Sequence, residues 1–277
     1  MQGREAGVRN VREFPGLRTL AWVFFLFLYA PIVALVALSF NNGGSATVWQ
    51  GFGLSGYVTV LHDGAAFAAA RTSFAIAALA ATMSSLIAIP TALHLWNNSR
   101  RTADFTGILV ASPLLVPEIV LALGTLILFS IVAVKLNFWT IVFGHTVFCL
   151  PFAYLPIRGS LSRIDPSYLE AAADLGANRW RVFRQIVWPL IRTGVAAGFA
   201  LAFVVSIDDF VTTYFLSGTA TTTLPMYIYG LITRGVKPNV NALATIVLFF
   251  SFGAALLSVW LSRAANSEKQ LSILERA

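Results

Sequence analysis

The sequence predicts an all-α integral membrane protein of six transmembrane helices with both termini cytoplasmic, and three observations carry that prediction. Of 277 residues, 57% are hydrophobic and 11% charged, against roughly 45–50% and 25% in soluble domains. The apolar residues gather into six blocks, at about 18–40, 72–96, 105–133, 138–158, 193–217 and 239–263, each long enough for a helix across a bilayer. They are continuously apolar and lack the alternation of barrel strands. Of the 19 lysines and arginines, all but Arg71, Lys135, Arg234 and Lys237 fall on the N-terminal side of the blocks, which the excess of basic residues marks as cytoplasmic.

Residues 1–17 form a basic cytoplasmic segment, followed by the first block. That block is longer than a signal-peptide core and no A-x-A-like site follows it, so the expectation is a retained anchor. NNGGSATVWQGFGLSGY (41–57) reads as an outer loop with a short helix near 55–62. The basic turn NNSRRTAD (97–104) faces inward, and a tight outer turn around Lys135–Asn137 joins blocks three and four. A long inner loop occupies 159–191. In the outer segment 218–238, Thr223 can cap and Pro225 start a helix ending near Gly235. The tail, 264–277, is polar and expected to be helical and cytoplasmic. Residues 18–263 thus form one transmembrane domain.

Composition also excludes several classes. The net charge of +7 is spread over cytoplasmic rims without a nucleic-acid-binding module. The single Cys149 allows no intramolecular disulfide and reads as a small buried hydrophobe. His62, His94 and His145 lack metal-ligand spacing, so no metal site is expected and each reads as structural. No G-x-x-x-x-G-K-[ST] phosphate loop is present. No catalytic set is evident and no cofactor is expected on this chain.

The most informative stretch is EAAADLGANRWRVFRQIVWP, residues 170–189. Asp165 and Pro166 suit a helix start, and Gly176 suits its stop. The ten residues between them would make a rod of about 15 Å. Ala171, Ala172 and Ala173 keep it slim, while Glu170 and Asp174 share a face that can meet basic groups on a partner. Asn178 can cap a second helix carrying Arg179, Arg181 and Arg184, running along the membrane rim until Pro189 turns the chain into block five. The plainer alternative is an amphipathic helix lying on lipid, which suits the basic residues and not the acidic, alanine-rich part.

Glu170-Ala171-Ala172, Gly176, Ile186 and Pro189 stand at the spacing of the signature loop of permease subunits in ATP-binding-cassette (ABC) importers, and the resemblance extends over most of the chain. Trp188 departs from the leucine usual before that proline, which affects local packing. The resemblance implies a type I ABC importer permease fold in the bacterial inner membrane. It also implies that Glu170, Ala171, Ala172, Asp174, Leu175 and Gly176 couple this chain to an ABC ATPase dimer, whose own chains use ATP and Mg. A second permease subunit, in a heterodimer, and a periplasmic or extracellular substrate-binding protein complete the implied assembly.

Charges in mid-membrane cost about 2.5–3.5 kcal/mol each on insertion scales, so the acids there are informative. Asp208 and Asp209 lie in SIDDFVTTYFLSG, in the outer half of block five, and Glu118 follows Pro117 in block three. Adjacent helical residues point about 100° apart, so one aspartate faces a pathway while the other binds backbone or a neighbouring helix. These three acids suit the passage of a cation. The alternative is that they cap an interrupted helix or pair with Arg71. Tyr214, Tyr227, Tyr229 and Trp139 are candidates for cation–π contacts, or ordinary interfacial aromatics. SIDDFVTTYFLSG and TLPMYIYGLITRGVKPNVNALATI resemble the second permease subunit of spermidine/putrescine importers (the PotC group), which implies polyamines or related small cationic amino compounds as cargo. A competing class is an ion-gradient-driven secondary transporter or channel.

Overall fold

The computed structural model describes residues 16–96, 100–165, 167–219, 221–235 and 239–253. The expectations for residues 1–15, the tail and the last part of block six lie outside the described residues. Among the described residues twelve α-helices follow in order: α1 (Leu17–Ser39), α2 (Ser55–Leu61), α3 (Gly64–Trp96), α4 (Arg100–Ala111), α5 (Glu118–Ile131), α6 (Phe138–Leu161), α7 (Ser167–Asp174), α8 (Arg179–Val182), α9 (Trp188–Ile207), α10 (Val211–Leu216), α11 (Leu224–Thr233) and α12 (Asn239–Gly253). Among the described residues the only extended pairing is a single antiparallel bridge, Asn41 to Phe52.

Four stretches are long and apolar enough to cross a membrane: Arg18–Ser39, Gly64–Trp96, Phe138–Leu161 and Arg179–Ile207. A fifth is added if a bent pair, Phe105–Leu114 with Glu118–Ile131, counts as one span. Helix is the expected answer, because a lipid-facing backbone must satisfy its own N–H and C=O groups.

The chain divides into two compact units. The first holds α1, the loop after it, most of α2 and the start of α12. Asn41 organises the loop: its amide donates to the carbonyls of Ser45 and Val48, both at 2.7 Å, and its Oδ1 accepts the Gln50 amide at 2.8 Å. Phe40 stacks on Phe52 with centroids 5.7 Å apart, and Asn241 of α12 donates to the Ala46 carbonyl at 2.8 Å. A Gly-, Asn- and Ser-rich loop is thereby ordered by one buried amide.

In the second unit α3, α6 and α9 pack against one another. Small residues make the contact: Ala77, Ala80, Ala81 and Ala88 of α3 are buried, and Ser84 donates to the Thr146 carbonyl of α6 at 3.0 Å. A Cβ on Gly198 of α9 would lie 2.5 Å from the Ala153 carbonyl oxygen of α6. Lipid gives no hydrophobic drive between helices, so close backbone approach and interhelical hydrogen bonds supply the adhesion. Asn137 starts α6 with a capping box: its Oδ1 accepts the Trp139 amide while its own amide donates to Thr140 Oγ1, each at 2.8 Å.

Three boundaries differ from the sequence expectation. The second block begins earlier, because Asp63 caps Gly64–Trp96 by accepting the Ala65 and Ala66 amides; Arg71 is therefore inside the helix. The third block is not one continuous rod. Pro113 lies in a 3-10 turn (Ser112–Leu114) and Pro117 precedes α5, and the helices on either side differ in direction by 102°. Both prolines remove helical donors, so the bend expected there is larger than a kink. The fifth block is interrupted between Ile207 and Val211, leaving α10 as a separate short helix.

Candidate coupling loop and intramembrane polar cluster

The inner loop is built around α7, Ser167–Asp174. Asp165 Oδ1 accepts the Ser167 amide at 2.9 Å, and that bond holds its carboxyl below the ordinary carboxylate value. Pro166 lies outside the described residues. At the other end the Ala177 amide reaches the Ala172 carbonyl (3.0 Å) and the Gly176 amide the Ala173 carbonyl (2.9 Å), with Gly176 at φ +70°. This is a Schellman ending, which places a left-handed residue where glycine has no Cβ penalty. The rod is eight residues, shorter than the ten expected, since its end residues act as caps.

Glu170, Ala171, Asp174, Leu175 and Gly176 are all exposed, and Leu175 is 87% exposed. Ala172 differs from the rest of its set. It is buried, on the side of α7 from which Leu169 packs onto the main core. One face of α7 is therefore held by the bundle while the acidic face and the Leu175 tip stand free.

Asn178 caps the next helix as expected, its Oδ1 accepting the Arg181 amide at 2.8 Å. Pro189, however, does not turn the chain. α8 continues through a π-helical segment, Phe183–Val187, into α9, so Arg179–Ile207 is one apolar stretch. The wide turn just before Pro189 absorbs the irregularity that its missing N–H introduces. Trp188, the unusual residue here, ends an aromatic ladder: Trp180 stacks on Phe183 at 5.6 Å and Phe183 meets Trp188 at 6.2 Å.

The acids separate into two environments. Asp208 is exposed. Asp209 is buried, and its Oδ1 accepts the Thr212 amide at 2.9 Å, capping α10. The break in block five is thus the interrupted helix, and Asp209 is its cap. Its second oxygen, Oδ2, lies 3.6 Å from His145 Nε2. Glu118, half-buried at the N-terminus of α5, interacts with both Asp209 and His145. The fold so brings Glu118 and Asp209 together and leaves Asp208 facing outward. The His145–Asp209 contact has ion-pair geometry, and Arg71 pairs with none of the three acids.

His145 is the residue the sequence did not single out. Its Nδ1 is 2.8 Å from Ser206 Oγ on α9 and its Nε2 is 2.9 Å from Thr213 Oγ1 on α10. One imidazole therefore bridges both sides of the helix break. A buried histidine opposite an Asp doublet flanked by Ser206, Thr212 and Thr213 was the available signal. Of the aromatic candidates, Tyr214 and Tyr229 join Phe210 in a cluster with centroids 4.9–6.3 Å apart, whereas Tyr227 binds Asp63 and Trp139 packs edge-on against Phe138.

Comparison with known proteins bears directly on this arrangement. The chain is 36% identical over 239 residues to the spermidine/putrescine transport system permease protein PotC of Escherichia coli K12, covering 86% of this chain and 90% of that protein. It is 35% identical to the putrescine transport system permease protein PotI of the same organism, covering 91% and 92%. Among solved structures, a bacterial ABC transporter involved in the import of the acidic polysaccharide alginate superposes with a TM-score of 0.68 at 17% identity, covering 90% of this chain and 93% of that one. That likeness is one of fold. Residues 84–267, which include α7, the break at Asp208–Phe210 and most of the α3–α6–α9 core, match the family described as binding-protein-dependent transport system inner membrane component, and the chain belongs to that family.

Proposed function

We propose that this chain forms one transmembrane half of an ATP-driven importer of polyamines or related small cationic amino compounds. In this reading it crosses the bacterial inner membrane six times with both termini cytoplasmic. It pairs with a second, related permease subunit, receives cargo from a substrate-binding protein, and is moved by a separate ABC ATPase dimer that binds and hydrolyses ATP with Mg. The observation that carries the proposal is α7: a short helix, fixed on one side by Ala172 and Leu169, that presents Glu170, Asp174 and the Leu175 tip outward. A rod of that shape suits insertion into a cleft of the ATPase, with Glu170, Ala171, Asp174, Leu175 and Gly176 in contact and Ala172 as its seat.

The cargo assignment has two supports: the printed functions of PotC and PotI, and the acids at the helix break. Asp208, which is exposed, would meet a cation entering the pathway. Asp209, beside His145, and Glu118 add further acidic groups to that region. Helix interruptions that expose polar groups at membrane depth are tolerated where they line a cavity. ATP-driven closure of the ATPase dimer would draw the two coupling helices together and open the pathway outward; hydrolysis would reset it inward.

The test is reconstitution of the full assembly in proteoliposomes. Uptake of putrescine or spermidine is expected to require ATP and the binding protein, and Glu170→Arg to abolish uptake and transport-stimulated ATPase together. Uptake that persists without ATP under an imposed ion gradient would establish the secondary-transporter reading instead. Asn replacement of Asp208 and Asp209, singly and together, is expected to impair uptake; unchanged kinetics in all three variants would remove the cargo-pathway role.

A further inference from the structure

At the α7 end of the bundle, between the last turns of α3 and α6, lies a cavity of about 240 Å³ whose lining includes Leu95, Trp96, Tyr154, Arg158 and Ser162. The space is several times the roughly 30 Å³ of one water, so a single water does not fill it. Two features show that it is built to hold something polar. Tyr154 is only 1% exposed, yet its hydroxyl has no hydrogen-bond partner among the described residues. Arg158, one helical turn further along α6, is exposed at the mouth of the cavity and has no ion-pair partner among them.

The two groups converge. A Cβ placed on Gly107 of α4 would lie 3.6 Å from Arg158 Nη1 and 4.0 Å from the Tyr154 hydroxyl. Both polar atoms therefore flank one point, close enough for a single tetrahedral oxyanion to touch both. Among the described residues no carboxylate lines the cavity, and the polar groups they bring to it include a guanidinium and a hydroxyl donor. Such a pair suits an anion with several acceptor oxygens, and repels a cationic cargo. Burying a hydroxyl without a partner is costly, so the vacancy favours an acceptor.

Depth narrows the choice. Arg158 is three residues from the end of α6 at Leu161, about 4.5 Å along the axis, with Trp96 ending α3 beside it. This is the level at which headgroups meet hydrocarbon, where tryptophan and arginine concentrate, and basic pockets between spans at that level suit anionic headgroups. We propose that this cavity binds the phosphate of an anionic phospholipid headgroup, held by the Arg158 guanidinium and the Tyr154 hydroxyl. The assignment does not depend on the cargo or the coupling role of α7.

The test is native mass spectrometry of the purified full chain, or its complex, in detergent, titrated with phosphatidylglycerol. Wild type is expected to retain one lipid per copy. Arg158→Gln and Tyr154→Phe should each weaken that binding about tenfold, the scale of one lost hydrogen bond to a charged group. Gly107→Leu, whose side chain would crowd the point between the Arg158 guanidinium and the Tyr154 hydroxyl while leaving both residues in place, should exclude the lipid, and Arg163→Gln should leave it bound. Thermal melting without added lipid separates binding from folding: Tyr154→Phe removes an unpaired hydroxyl and should melt no lower than wild type. Wild-type affinity in Tyr154→Phe or in Gly107→Leu overturns the site, as does an equal loss in Arg163→Gln. Displacement of the lipid by equimolar inorganic phosphate would overturn the lipid assignment in favour of a free phosphate compound.

Discussion

Tyr227 donates its hydroxyl to Asp63 Oδ2, so the carboxylate that caps α3 also anchors α11. The Leu224 amide adds a second tie, to Ser73 Oγ at 2.8 Å. The Tyr227 hydrogen bond, with those from the Ala66 and Ala65 amides, holds the Asp63 carboxyl below its ordinary value despite some burial. The same bond and the nearby negative charge push the Tyr227 phenol up to about 12. A depressed carboxyl stabilises the fold above its unfolded value and loses that contribution as pH falls through the folded one. A raised phenol stabilises it below about 10 and loses that contribution as pH rises through about 12. The tether should therefore hold from about pH 4 to about pH 10. Ultraviolet titration of tyrosinate should show one phenol ionising near 12 that vanishes in Tyr227→Phe and moves toward 10 in Asp63→Asn. An unmoved titration in Asp63→Asn would show that the pair is not formed.

Gly198 marks where α6 and α9 touch backbone to backbone. Its missing Cβ would lie 2.5 Å from the Ala153 carbonyl oxygen, an atom that cannot rotate aside. Gly198→Ala should destabilise the purified protein by about 1–3 kcal/mol, the usual range for overpacking, seen as a lower melting temperature. Gly159, in the same helix α6, has open space at its Cβ position. Gly159→Ala should be neutral or stabilising by up to about 1 kcal/mol, through helix propensity. Equal behaviour of the two variants would mean that the close contact is not formed.

The parts of this fold that were legible in the sequence are those fixed by local chemistry or by the bilayer itself. A continuous apolar run of span length has one stable answer in lipid, which is why α1 and α6 fall close to where the blocks do. Gly176 and Asn178 were legible for the same reason: a left-handed stop and a side-chain cap act within a few residues. The break at Asp208–Phe210 was legible only as the alternative in which the acids cap an interrupted helix, because a three-residue interruption does not disturb the periodicity of an apolar stretch. Pro113 and Pro117 announced a bend without its angle, which depends on what α5 packs against. His145 was hidden because its partners lie 61 and 68 residues away in sequence, and only the pairing of α6 with α9 and α10 assembles them.

That assembly makes His145 a positioning residue for the helix break, and its coupling to Asp209 is measurable. His145→Ala would leave the buried Ser206 hydroxyl without its partner, take from Thr213 one of its two hydrogen bonds and remove the imidazole beside Asp209 Oδ2, at a cost of about 1–3 kcal/mol for an unsatisfied buried group before relaxation. In a cycle with Asp209→Asn, the two losses should deviate from additivity by more than about 0.5 kcal/mol. His145→Gln should recover part of the stability, since it can still meet one hydroxyl. Additive losses would mean that the imidazole and the carboxylate act separately.

Gly176 allows the geometry of α7 to be separated from its charge. A Cβ there meets nothing within 4 Å, so a substitution is strained by the backbone alone, at φ +70°. A β-branched residue in the left-handed region costs more than the roughly 1–2 kcal/mol typical of that conformation, while asparagine tolerates it best among the non-glycine residues. Gly176→Val should therefore unwind the Schellman ending and shift the exposed Leu175 tip, whereas Gly176→Asn should keep both. In the reconstituted importer, Gly176→Val is expected to lower uptake per ATP hydrolysed at least several-fold, with Gly176→Asn near wild type. Circular dichroism should show the bundle intact in each. If the two variants transported alike, the position of the helix end would have no part in coupling, and contact through the acidic face alone would have to suffice.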